Sequence, residues 1–174
     1  MPLELPQNYF ELFQLACTLE VDERQLTERY RALQRELHPD RFAAAGPQER
    51  RLAAQAAAHV NQAYRTLSDR HECATYLLHL QGVTIDDEKD TSTDTEFLMQ
   101  QMELREGMEA LDEMPAVEAF GARLEQEAGA LWEDFGACYA GERWPDAREA
   151  LLKLRFYRRL QQQLQARREQ FAAG

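Results

Sequence analysis

The chain has 174 residues, of which 44% are hydrophobic, too many for a disordered chain and ordinary for a globular one. Gly (8) and Pro (6) are scarce while Ala, Leu, Glu, Gln and Arg abound, a helix-forming composition that excludes collagen-like and linker-like chains. The net charge of −11 argues against a nucleic-acid binder, which needs a basic footprint to displace counterions, and against an anionic membrane surface.

Asn8–Leu15 reads as a short first helix with Tyr9, Phe10, Leu12 and Phe13 apolar. The second helix starts after Asp22, a good N-cap, and runs to about Leu37. At about 100° per residue, Leu26, Tyr30, Leu33 and Leu37 share one face, with Arg24, Arg31 and Arg35 opposite and Glu28 among them. His38-Pro39 ends the helix, because the residue before a proline is pushed out of the α region. A third helix is expected from Pro47 to about Asp69, with Leu52, Ala56, Ala63 and Leu67 as its apolar stripe. The fourth is expected over Glu72–Gln81.

Gly82–Thr93 is polar and acidic and reads as a linker. Residues 1–81 carry 9 basic and 11 acidic side chains and residues 82–174 carry 11 and 20, so the charge divides unevenly across it. Thr93-x-x-Glu96 is a capping-box pattern opening a fifth helix that continues to about Met114, and Pro115 allows a turn. Helices follow over about Val117–Tyr139 and Trp144–Phe171. Three consecutive helices with short connections imply an antiparallel bundle. The fold class is therefore all-α, organised as 1–81, a linker 82–93, and a bundle 94–174.

Two constellations bear on function. Helices two and three have matching stripes and pair antiparallel, joined by a loop that begins His38-Pro39-Asp40-Arg41-Phe42. The arginine face beside that loop suits an acidic patch on another protein, since guanidinium groups pair bidentately with carboxylates. On charges alone the simpler reading is a solvated helix face. The fifth helix has two apolar faces. Phe97, Leu104, Met108 and Leu111 form the stripe facing the bundle, while Leu98, Met99 and Met102 lie mostly on the far side, bordered by Glu103, Glu106 and Glu109. A methionine-containing patch rimmed by carboxylates reads either as a docking site or as a face packed on the N-terminal half. On the last helix, Phe156 and Leu152 flank the core stripe, and Phe156 either extends that patch or closes the bundle.

His38 and Asp40 lack a companion nucleophile, oxyanion-hole motif or phosphate loop, so no catalytic residue is expected. Cys17, Cys73 and Cys138 are odd in number and far apart, with no CxxC, so neither a disulfide framework nor a metal site is expected, and no cofactor. His59 reads as a packed histidine, and Trp132 and Trp144 as anchors of the bundle. No apolar run approaches the ~18 residues of a membrane span. The opening MPLELPQN lacks the basic region and apolar stretch of a signal peptide, so the cytoplasm is the expected compartment.

Tyr9-Phe10-Glu11-Leu12-Phe13, then helix two, then His38-Pro39-Asp40, then Asn61-Gln62-Ala63-Tyr64-Arg65-Thr66-Leu67-Ser68-Asp69 resembles a J-domain. The resemblance implies binding to a DnaK-type heat-shock chaperone and stimulation of its ATP hydrolysis. His38, Pro39 and Asp40 would stimulate, and Arg24, Arg31 and Arg35, with Arg29 and Arg41, would meet the chaperone. Arg70 stands where a proline often follows this motif, which leaves room for the helix to continue. Asp94-Thr95-Glu96-Phe97-Leu98-Met99-Gln100-Gln101-Met102-Glu103-Leu104-Arg105-Glu106, Lys153-Leu154-Arg155-Phe156 and Ala74-Thr75-Tyr76-Leu77-Leu78 resemble the HscB family of iron–sulfur co-chaperones. That resemblance implies partners: an IscU-type iron–sulfur scaffold and an HscA-type heat-shock chaperone. Leu98, Met99, Met102, Glu103, Glu106 and Phe156 would contact the scaffold. Ala110 stands where the family pattern has a further acidic residue, with Glu109 and Glu113 nearby.

Overall fold

The computed structural model describes residues 4–86 and 88–174, so Met1–Leu3 of the opening segment and Asp87 of the expected linker lie outside the description. Among the described residues the regular elements are seven α-helices and one 3-10 turn, and the fold is all-α. The chain divides into two compact units, one ending at Leu77 and one beginning at Leu78.

In the first unit, α1 is Tyr9–Leu12, shorter than the sequence pattern suggests. Asn8 starts it, its side-chain oxygen accepting from the amides of Phe10 and Glu11 at 2.9 and 3.2 Å. Gln14 takes a left-handed φ of 54°, and the amides of Leu15 and Gln14 return to the carbonyls of Phe10 and Glu11. This is a Schellman stop with glutamine where glycine is usual. α2 is Glu23–Glu36, capped by the Asp22 carboxylate accepting from the Gln25 amide. A 3-10 turn follows at Pro39–Phe42, then α3 over Pro47–Ser68 with Pro47 in its first turn, where its missing N–H costs nothing.

α2 and α3 form the expected hairpin. Leu26, Val60 and Ala63 are at most 1% exposed, with Leu37, Ala53, Ala56 and Leu67 also buried. The stripe on α3 differs from the expected one: Leu52 is 41% exposed, and Ala53 and Val60 take the buried positions. Counted at about 100° per residue, Leu52 lies about 80° round the helix from Val60 and Ala53 only about 20°. Tyr30 and Tyr64 are half-buried and stack with ring centroids 4.0 Å apart, locking the hairpin on one side.

Asp69 is extended (φ −108°, ψ 123°), so α3 does not continue through Arg70. Its carboxylate accepts from the Glu72 amide at 3.0 Å and starts α4, Arg70–Leu80. The boundary between the two units falls within α4. His59 is packed as expected, Nε2 2.9 Å from the Pro6 carbonyl and its ring edge-on to Tyr9. Of the three cysteines, Cys73 and Cys138 are buried and Cys17 is exposed.

The second unit is a three-helix arrangement of α5 (Thr95–Glu109), α6 (Met114–Ala140) and α7 (Trp144–Ala173). α6 and α7 run the longest pairing, burying Val117, Leu124 and Phe135 against Leu151, Leu154 and Leu160. Trp132 and Trp144 are half-buried and pack edge-on to Phe135 and Tyr139. Pro115 sits in the first turn of α6, not in a separate turn, and α5 ends at Glu109, short of the Met114 that the apolar pattern suggested. α6 ends in the same way as α1: Glu142, not Gly141, takes the left-handed φ of 55°. The stretch before α5 is laid along α7. Arg148 pairs with Asp90 at 2.8 Å and donates to the Thr84 carbonyl, and buried Ser92 donates to Glu149.

Candidate functional surfaces

The first surface lies on the hairpin of the first unit. His38 precedes the 3-10 turn in extended backbone (φ −59°, ψ 135°), and its Nδ1 accepts the Asp40 amide at 3.2 Å. Pro39 fixes the next φ, and the Arg41 amide returns to the His38 carbonyl at 3.0 Å. The turn is thus tied by its own backbone, and the Asp40 side chain is 91% exposed, its carboxylate 3.6 Å from His38 Nδ1. Arg31 and Arg35 share a groove of about 440 Å³ with His38 and Pro39, floored by Leu37, Val60 and Asn61. Asn61 also accepts from the Tyr30 hydroxyl at 2.8 Å, and Gln34 donates to that hydroxyl at 2.7 Å. Arg24 and Arg29 are exposed on α2 but do not line the groove. Arg24 pairs with Glu28 at 3.1 Å, and Arg29 lies about 160° round the helix from Arg31. Arg41 is exposed in the turn itself.

The second surface is the outer face of α5. Its position is set at both ends by α7. Asp94 caps the N-terminus, accepting from the Glu96 and Phe97 amides, while its other oxygen receives Lys153 at 2.8 Å. The cap is one residue later than the Thr93 expected. The lysine bond, and after it the Phe97 amide, hold the Asp94 carboxyl below the usual carboxylate range. At the other end the Arg167 guanidinium donates to the Leu111 carbonyl at 2.6 Å and the Glu109 carbonyl at 3.3 Å.

Between those ends the two apolar faces separate cleanly. Phe97, Leu104, Met108 and Leu111 are buried, whereas Leu98, Met99 and Met102 are 42%, 68% and 63% exposed. Met99 and Met102 line a shallow groove of about 650 Å³ with Gln100, Glu103, Glu106 and Arg123. Leu98 is exposed beside this groove without lining it.

Phe156 is not brought to this surface. It is 3% exposed and meets Phe97 edge-on, ring centroids 5.6 Å apart, with the Arg105 guanidinium 5.6 Å above its ring. It closes the bundle beneath α5. Conversely, Gln100 and Arg123 belong to the groove though neither is among the expected contacts, and Arg123 carries no motif that marks it in the sequence. Arg123 reaches it from α6, which only the pairing of helices reveals. Its Nε donates to Glu127 at 2.8 Å, and the other Glu127 oxygen accepts the Tyr157 hydroxyl at 2.7 Å. Burial, and then Glu127, push the Tyr157 hydroxyl well above its ordinary pKa, so it stays a donor.

Among the described residues no group of three or more His, Cys, Asp or Glu is arranged to hold a metal ion. Among them, too, no helix is long and apolar enough to cross a membrane. The chemistry on offer is recognition: a fixed acidic turn beside two arginines, and an exposed apolar face with a charged rim.

Residues 93–165 match a family described as the HSCB C-terminal oligomerisation domain. The chain is 41% identical over 170 residues to the co-chaperone protein HscB homolog of Burkholderia multivorans, an alignment covering 96% of this chain and 97% of that one. Among solved structures it is similar to chaperone HscB from Vibrio cholerae, with a TM-score of 0.83, 36% identity, and 94% and 99% of the two chains covered. It is also similar to the human co-chaperone protein HscB, with a TM-score of 0.85, 25% identity, and 96% and 83% covered. With near full-length identity well above 30% and the same all-helical fold, the chain belongs to the HscB family of co-chaperones.

Proposed function

We propose that the protein is a two-ended adaptor in iron–sulfur cluster biogenesis, holding an IscU-type scaffold on α5 and stimulating an HscA/DnaK-type chaperone through the His38-Pro39-Asp40 turn. The observation that carries this reading is the exposure of Leu98, Met99 and Met102 beside Glu103 and Glu106 on a helix anchored at both ends. Methionines adapt to a partner's contours, and their burial supplies the affinity while the carboxylates select orientation. Phe156 serves from beneath, supporting Phe97 and Arg105. At the other end, Asp40 engages a cation of the chaperone, and Arg31 and Arg35, with Arg24, Arg29 and Arg41 around them, pair with its carboxylates.

In this reading residues 1–81 serve the chaperone, 94–174 serve the scaffold and 82–93 join them. The protein itself hydrolyses nothing and works in the cytoplasm. Carrying both partners on one chain raises the local concentration of scaffold at the chaperone as ATP is hydrolysed. Calorimetric titration of each partner separately tests the two-ended division. Leu98→Ala with Met102→Ala is expected to abolish scaffold binding and leave chaperone binding intact, and Asp40→Asn to do the reverse. Loss of both by either variant, or of neither, contradicts it.

A further inference from the structure

The groove on α5 is not uniformly acidic. Glu96, Glu103 and Glu106 line it, and so does one cation, Arg123. An occupant carrying only basic groups would set like charge against that guanidinium. Arg123 is also held unusually firmly for a side chain that is 44% exposed. Its Nε is bonded to Glu127, Glu127 to buried Tyr157, and the Tyr157 hydroxyl accepts from Gln100 at 3.1 Å. That chain fixes the plane of the guanidinium from the bundle side. Its terminal edge is not closed: Nη2 lies 3.9 Å from Glu103, against about 2.7–2.9 Å for a charge-assisted bond. A planar fork held by one edge, with the other toward a groove, is pre-organised to receive a carboxylate without paying the entropy of ordering a free arginine.

We propose that Arg123 is a specificity-determining residue of the α5 surface, its guanidinium receiving a carboxylate of the docked IscU-type scaffold. This rests on the reading of α5 as the scaffold's site. The scaffold segment that fits has a mixed pattern: apolar against Met99 and Met102, basic against the glutamates, acidic opposite Arg123.

The test is calorimetric titration of the scaffold protein into wild type, Arg123→Ala, Arg123→Lys, Glu103→Gln, and Arg123→Ala in the Glu103→Gln background, with thermal melts of each. Arg123→Ala is expected to weaken binding at least about tenfold with an unchanged melt, the scale of a lost charge-assisted pair. Arg123→Lys, which keeps the charge but not the fork, is expected to recover only part of it. The loss is expected to persist in the Glu103→Gln background, because the guanidinium acts on the partner and not through Glu103. Wild-type affinity in Arg123→Ala, tighter binding, or a loss that vanishes with Glu103→Gln overturns the proposal. If Leu98→Ala with Met102→Ala abolishes binding while Arg123→Ala does not, only the role of Arg123 falls. If that double variant binds like wild type, the site on α5 falls and the proposal with it. Should Arg123→Ala melt early, Arg123→Lys at full stability decides: undiminished affinity there overturns the fork.

Discussion

Lys153 of α7 places its ammonium 2.8 Å from the carboxylate of Asp94, the residue that caps α5. The same ammonium stands 5.4 Å from the centroid of the Phe97 ring, so one cation fixes both the cap and the first buried side chain of α5. With Arg167 holding the far end, the exposed face of α5 is presented by a helix that is pinned twice to α7. A docking surface on a fixed helix loses less entropy on binding than one on a mobile segment.

That pairing has a pH dependence. The folded Asp94 carboxyl titrates below its ordinary range, chiefly because of Lys153. The stabilisation it brings is complete above the ordinary aspartate value, about 3.9, and fades as pH falls through the lower folded value. Asp94→Asn keeps the capping oxygen and removes the charge. It is expected to lower the melting temperature at pH 7, with the gap to wild type closing progressively below about pH 4. A gap independent of pH contradicts the pairing.

The two faces of α5 separate affinity from stability. Leu98→Ala with Met102→Ala changes exposed side chains and is expected to shift unfolding free energy by no more than about 1 kcal/mol, at about 0.5 each. Leu104→Ala, at a fully buried position, is expected to cost about 2–5 kcal/mol. Urea titrations of both check this, and comparable losses would mean that Leu98 and Met102 are packed in solution.

Phe156 distinguishes support from contact. Phe156→Ala is expected to destabilise by about 3–5 kcal/mol, as an emptied aromatic site does. Phe156→Leu refills most of that space, and is expected to retain most of both stability and scaffold affinity. A stable Phe156→Leu that no longer binds would make the ring itself a contact.

Thiol reactivity reports on the first unit. Burial pushes the Cys73 thiol up to about 12, so at pH 8 it is a negligible nucleophile as well as an inaccessible one. Alkylation followed by mass spectrometry is expected to modify exposed Cys17 first and Cys73 only in denaturant. Equal rates under native conditions contradict the packing of α4 in that unit.

Much of the fold could be read where periodicity is strong and local. Phe97, Leu104, Met108 and Leu111 repeat at helical spacing, and all are buried. The turn at His38-Pro39-Asp40 follows from proline's restriction of the preceding residue, and the helix breaks there. What could not be read depends on neighbours distant in sequence. Arg123 joins the groove only because α6 lies beside α5 there, and Phe156 is covered because Arg105 and Phe97 close over it. The stripe of a 30-residue helix drifts round its axis, so the sequence pattern alone leaves the side to which Phe156 points undecided. Helix ends failed for another reason. Gln14 adopts left-handed backbone without being glycine, so the usual stop signal is missing after α1, whereas α6 ends before Gly141 as the sequence indicates.

The most direct measurement is the steady-state ATPase rate of the HscA-type chaperone, with and without IscU-type scaffold, on adding wild type, His38→Gln, or Leu98→Ala with Met102→Ala. Wild type is expected to stimulate the rate, and to stimulate it further when scaffold is present. His38→Gln is expected to do neither, and the α5 double variant to keep the basal stimulation while losing the scaffold-dependent part. Stimulation by His38→Gln equal to wild type, or a scaffold effect untouched by the α5 double variant, would contradict a two-ended adaptor.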